Sequence, residues 1–176
     1  PVNFREKETY DKLSNSGIKL ISLFTLKDFG LAMGYTREEP EQEGFDIVWR
    51  FDCPEPNYSA ILPKSTPVLD EDKLYFGSDN GYFWALNQND GSVAWKFKVG
   101  KIPFRRGIFS SPALYENLVF FGSYDGNVYA LDKNSGQLKW KNLDADYVGS
   151  SPVLAPELKM LFIGLEYGLF NKKGGI

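Results

Sequence analysis

The sequence repeats itself. Residues 65–97, STPVLDEDKLYFGSDNGYFWALNQNDGSVAWKF, align without a gap to residues 110–142, SSPALYENLVFFGSYDGNVYALDKNSGQLKWKN. Pro67 and Pro112, Gly77 and Gly122, Gly81 and Gly126, Leu86 and Leu131, Gly91 and Gly136, and Trp95 and Trp140 each stand 45 residues apart. Chance does not produce that set. A unit this short cannot bury its apolar faces alone, so copies must stack on one another. A third copy opens with Ser150-Ser151-Pro152-Val153-Leu154 and continues through Met160-Leu161-Phe162-Ile163-Gly164. Upstream, Phe45 to Phe51 reads as the end of an earlier copy, with Trp49 lying 46 residues before Trp95.

Each unit divides into four short strands rich in β-branched and aromatic residues, as strands prefer. They are Ser-Thr/Ser-Pro-Val/Ala-Leu; Lys73 to Gly77 or Leu118 to Gly122; Tyr82 to Leu86 or Asn127 to Leu131; and Val93 to Phe97 or Leu138 to Trp140. Between them fall Asp79-Asn80-Gly81, Tyr124-Asp125-Gly126, Asn89-Asp90-Gly91 and Asn134-Ser135-Gly136. Such triplets supply the positive φ that tight hairpins need. Four antiparallel strands every ~45 residues is the spacing of a β-propeller blade.

The segments Ala85-Leu86-Asn87 … Asp90-Gly91 … Trp95 and Ala130-Leu131-Asp132 … Ser135-Gly136 … Trp140 resemble the Ala-x-Asp/Asn-x-x-Thr-Gly-x-x-x-Trp motif of quinoprotein-type, PQQ-like propellers. Asp90 and Ser135 stand where that motif carries Thr; both can still bond the turn backbone. The resemblance implies that each Trp packs between neighbouring blades, against the Gly turn and Ala of the adjacent copy. Ala85, Asn87, Gly91, Trp95, Ala130, Asp132, Gly136, Trp140 and Trp49 are then blade-docking residues rather than ligand platforms. The expected fold is mainly β: an incomplete propeller of about three four-stranded antiparallel blades over residues 45–176, preceded by a small α/β segment.

That segment does not fit the repeat. Glu6 to Ser16 has helical composition and ends at Gly17, where a C-terminal glycine belongs. Ile18 to Phe24 is an apolar strand, and Thr25 is placed to cap a helix carrying Leu26, Phe29, Ala32 and Met33. Strand and helix in alternation point to a parallel sheet. Arg5-Glu6, Leu13 and Gly17 to Leu26 resemble the C-terminal end of orotate-type phosphoribosyltransferases, with Asn3-Phe4 in place of the usual Val-Asp. This implies a transferase-domain remnant over residues 1–33, an acidic linker over 34–44, and a cytoplasmic setting; a periplasmic one is the alternative. The family's phosphate loop is absent, so no catalytic role carries over.

Composition narrows the chemistry. The chain has no His, which removes the commonest general base and zinc ligand. Its one cysteine, Cys53, rules out an internal disulfide framework. The net charge of −3 gives no reason to expect nucleic acid. No apolar run reaches the ~18 residues of a membrane-spanning helix. Quinone enzymes of this propeller class hold their cofactor with an adjacent Cys pair and channel-facing acids and bases. One Cys and no His supply no such pocket, so no cofactor or metal is expected in this chain.

Four residues are candidate ligand contacts. Arg105 and Arg106 close a basic stretch with Lys96, Lys98 and Lys101, in a blade connection that borders the central channel of propellers; there they suit an anion. Asp79 and Tyr124 occupy equivalent turns between second and third strands, although no calcium-loop spacing is present. The functional expectation is a non-catalytic binding or scaffold module with a protein partner or small ligand on the propeller face. The alternative is part of an enzyme, either a phosphoribosyltransferase regulated by the propeller or a quinoprotein dehydrogenase. A closed ring of four to eight blades needs about 180 to 360 residues, so the chain is expected to be a window on a larger protein that contributes the remaining blades.

Overall fold

A computed structural model describes residues 20–22, 47–54, 65–100, 107–143 and 145–166. The chain forms two compact units, Pro1–Pro54 and Glu55–Ile176. In the first, β1 (Leu20–Ser22) pairs in parallel with β2 (Ile47–Arg50). β1 lies inside the expected strand Ile18 to Phe24. β2 carries Trp49, so the segment read as the end of a repeat bonds its backbone to the N-terminal strand. The expected helices over 6–16 and 25–33 lie outside the described residues.

The second unit is mainly β and forms an incomplete propeller. The first blade is an antiparallel sheet of β3 (Val68–Leu69), β4 (Lys73–Gly77), β5 (Tyr82–Asn87) and β6 (Val93–Lys98), in that order. The second repeats it with β7 (Ala113–Tyr115), β8 (Leu118–Gly122), β9 (Asn127–Asp132) and β10 (Leu138–Leu143). A third opens with the hairpin β11 (Val153–Ala155) and β12 (Met160–Phe162), joined through a 3-10 turn over Pro156–Leu158. Gly81, Gly126, Gly91 and Gly136 all adopt positive φ at the hairpin turns, as the Asn/Asp-Gly chemistry requires.

Both faces of the central strands are buried, which is why they read as unbroken apolar runs rather than alternating ones. Side chains alternate across a strand. Val119, Phe121, Tyr129 and Leu131 of the second blade therefore face one way and meet Tyr75, Phe83 and Ala85 of the first in a shared core with Val99 and Ile108. Phe83 and Phe121 stack across that joint, with centroids 4.0 Å apart. The counterparts of the first set in the opening blade, Leu74, Phe76, Trp84 and Leu86, are buried as well. Val128, on the opposite face of the second blade, packs with Ala145, Val148 and Ile163 toward the third.

The connections between blades lie against the preceding blade. Ile108 N–H donates to Ser78 O and Val148 N–H to Ser123 O. These straps run so close that a Cβ on Gly77 would stand 2.7 Å from Ile108 O, and one on Gly122 2.8 Å from Val148 O. Only glycine fits at either place. Ser110 follows Ser65 by 45 residues but Ser150 follows Ser110 by 40. The second connection is thus shorter, and residues 101–106 fall in the longer one.

Candidate functional site

Two places gather the residues singled out from the sequence: the joint between blades, and the turn end of the second blade. At the joint, Trp95 on β6 is half-buried against the shared core. Its Nε1–H donates to Lys133 O at 2.9 Å, and Tyr75 Oη donates to the same carbonyl at 3.1 Å. Under the indole lies Gly136, where a Cβ would come within 2.6 Å of Trp95 Cε3. Gly136 also holds φ at 71°, so glycine is required twice over. Across the same joint Lys133 Nζ pairs with Asp70 at 2.6 Å, which holds the Asp70 carboxyl below its ordinary pKa.

Ala85 and Ala130 are fully buried opposite Trp95 and Trp140 in their sheets. The turn residues are bonded in two ways. In the first blade Asp90 Oδ1 accepts from Ser92 N–H and Oγ–H, while Asn87 Nδ2 donates to Ser92 Oγ. In the second, Asp132 Oδ1 accepts from Asn134 N–H, Ser135 N–H and Ser135 Oγ–H. Gly91 and Gly136 close the two turns at the same φ of 71°. Trp49 is buried in the first unit. Trp140 is more exposed, at 42%, and its ring meets that of Phe120 with centroids 5.9 Å apart.

At the turn end, Tyr124 sits between β8 and β9. Its ring meets Phe109 edge-on at 4.7 Å and Tyr147 at 5.2 Å. Burial, then the charge of Glu166, raises its hydroxyl pKa. Glu166 Oε1 accepts from Gly149 N–H at 2.9 Å. Asp79 is half-buried in the β4–β5 turn. Asp125, the neighbour of Tyr124, accepts from Tyr129 Oη and Asn127 N–H, so it stabilises its own hairpin. Arg105 and Arg106 lie outside the described residues. Lys96 and Lys98 lie over the Tyr82 ring, at 5.1 and 4.2 Å from its centroid. Among the described residues no three His, Cys, Asp or Glu side chains cluster as a metal site. Sequence reasoning missed Phe109 and Tyr147. The signal for both is an aromatic residue just upstream of a Ser-Ser-Pro that opens a copy.

A known family model, described as outer membrane protein assembly factor BamB, matches residues 42–165, the span that holds the repeat. The chain belongs to this PQQ-like BamB family. No curated protein matches it in sequence. Among solved structures, the quinohemoprotein alcohol dehydrogenase ADHIIG from Pseudomonas putida HK5 is 20% identical, with a TM-score of 0.51 over 62% of this chain and 18% of that one. BamB from Moraxella catarrhalis is 22% identical, with a TM-score of 0.45 over 51% of this chain and 30% of that one. Quinohemoprotein alcohol dehydrogenase from Comamonas testosteroni is 16% identical, with a TM-score of 0.47 over 56% of this chain and 20% of that one. The likeness to ADHIIG is one of fold. The chain spans at most 30% of the length of these structures. The family model begins at residue 42, after the segment that resembles a phosphoribosyltransferase.

Proposed function

We propose that this chain is part of a non-catalytic BamB-type propeller that acts as a protein-docking scaffold in outer-membrane protein assembly. The observation that carries the reading is the family match, which runs through both complete blades and into the third. The family's description as an outer membrane assembly factor favours the periplasmic setting over the cytoplasmic one drawn from the N-terminal resemblance. The aromatic turn end around Tyr124, Phe109 and Tyr147 supports a binding surface, since rigid aromatic side chains are preferred anchors in protein interfaces.

The second reading is an enzyme of the quinoprotein dehydrogenase class, favoured by the shared fold with ADHIIG. Titration with pyrroloquinoline quinone, followed by absorbance, separates the two. The scaffold reading expects no saturable change in the quinone spectrum. Saturable quinone binding with alcohol-dependent dye reduction would sink it. The fusion to a phosphoribosyltransferase-like domain is a separate part of the proposal, supported by the resemblance carried by Arg5-Glu6, Leu13 and Gly17 to Leu26. Binding of phosphoribosyl pyrophosphate by the protein that contains this chain tests it, and no binding at millimolar ligand would remove it.

A further inference from the structure

Three copies of the repeat place three different residues at one backbone position. Asp79, Tyr124 and Glu166 each stand two residues after the matched glycines Gly77, Gly122 and Gly164. Tyr124 N–H donates to Gly107 O and Glu166 N–H to Tyr147 O, both at 2.9 Å, so the two connections are matched as well. Within them an aromatic residue and a glycine have changed places: Gly107 and Phe109 in one, Tyr147 and Gly149 in the other. A backbone that tolerates this range does not dictate the chemistry found there. We propose that Tyr124, Phe109 and Glu166 form a seat for the guanidinium of an arginine on a partner polypeptide. This rests on the scaffold reading and names the chemistry that the partner presents.

The rings of Phe109 and Tyr124 are mutually perpendicular, at 89°, and both are half-buried. Such a pair offers a cation one ring face to lie on and a second ring beside it. Tyr147 adds a third ring, tilted by 56° from Tyr124. Glu166 is held next to them through Gly149, whose N–H its Oε1 accepts at 2.9 Å. A Cβ on Gly149 would collide with Oε1 and stand 2.8 Å from Tyr124 Cε1, so the glycine lets carboxylate and ring approach one another. Among the described residues no Lys or Arg pairs with Glu166, and the Tyr124 hydroxyl makes no hydrogen bond. Asp146, whose N–H donates to Glu166 O, and Asp125, adjacent to Tyr124, add further negative charge nearby. A carboxylate beside angled rings, without a cation of its own, is complementary to a positive side chain. Arginine fits this set better than lysine. Its planar fork stacks on an aromatic face while N–H groups reach two acceptors, the second Glu166 oxygen and Tyr124 Oη.

The probe is the peptide acetyl-Gly-Arg-Gly-amide, titrated into the protein while the backbone amide of Gly149 is followed by NMR. That resonance should shift and saturate in the low millimolar range, roughly the strength of one small anchor, with Gly136 in its hairpin turn unmoved. The same peptide with citrulline, equal in shape but uncharged, should bind about tenfold more weakly, and the lysine peptide several-fold more weakly. Glu166→Gln keeps an acceptor for Gly149 N–H and removes the charge, and should weaken arginine binding about tenfold. Tyr124→Leu should do likewise through the lost ring. No shift at ~20 mM peptide, equal binding of the citrulline or lysine peptide, or unchanged binding by either variant would overturn the proposal. So would tighter binding by an Arg105→Ala, Arg106→Ala double variant, which would mean that the protein's own arginines occupy the seat. The two readings fail separately. Quinone-dependent turnover with a Gly149 amide that answers arginine removes the scaffold and keeps the seat, whereas a silent Gly149 without quinone binding does the reverse.

Discussion

The indole of Trp95 gains from the next blade one hydrogen bond, the flat face of Gly136 and a place on the shared core. Trp140 has the same spacing and the same motif, yet much of it meets solvent. The two should therefore differ in what they contribute. Trp95→Ala should destabilise by about 2–4 kcal/mol, below the fully buried range because the ring is only partly enclosed, with about 1 kcal/mol of it from the lost hydrogen bond. Trp140→Ala should cost about 1 kcal/mol. Urea unfolding of both variants decides this; equal losses would mean that the neighbouring turn contributes nothing. Gly136→Ala should approach the cost of Trp95→Ala, since it strains the turn and lifts the ring together.

The third-to-fourth-strand turns show one element solved twice. In the first blade the carboxylate sits at the fourth position, Asp90, and in the second at the first, Asp132. Each accepts backbone and hydroxyl hydrogen bonds, and these lower the pKa of both below the usual carboxylate value. Lys133 does the same for Asp70 across the joint. A folded-state pKa below the unfolded one stabilises fully above about pH 4 and is lost as pH falls through the folded value. Stability should thus decline below about pH 4, and Asp70→Asn with Asp132→Asn should flatten that decline. A pH profile that the double variant leaves unchanged would exclude these carboxylates as its source. Turns of this kind were legible because their chemistry is local: Asn or Asp, a hydroxyl and Gly within six residues. The aromatic group at the turn end was not, since Phe109, Tyr124 and Tyr147 come from three separate segments.

At the scale of the molecule, the third hairpin turns Val153 and Phe162 to solvent, 64% and 44% exposed, whereas Tyr75 and Phe120, the counterparts of Phe162 in the other two blades, are covered. An apolar sheet face of this kind drives association. Light scattering should show a mass that rises with concentration, and Phe162→Lys should suppress the rise; a clean monomer at ~100 μM would count against it. The repeat, its four strands, their order and the turn glycines were determined by the sequence alone, because the 45-residue spacing of Pro, Gly and Trp is local information stated twice. Only the tertiary structure decided which face of each strand meets which neighbour, and that two matched tryptophans differ. Both strand faces are apolar, so their pattern carries no direction, and a side chain's burial depends on the segment that comes to lie beside it.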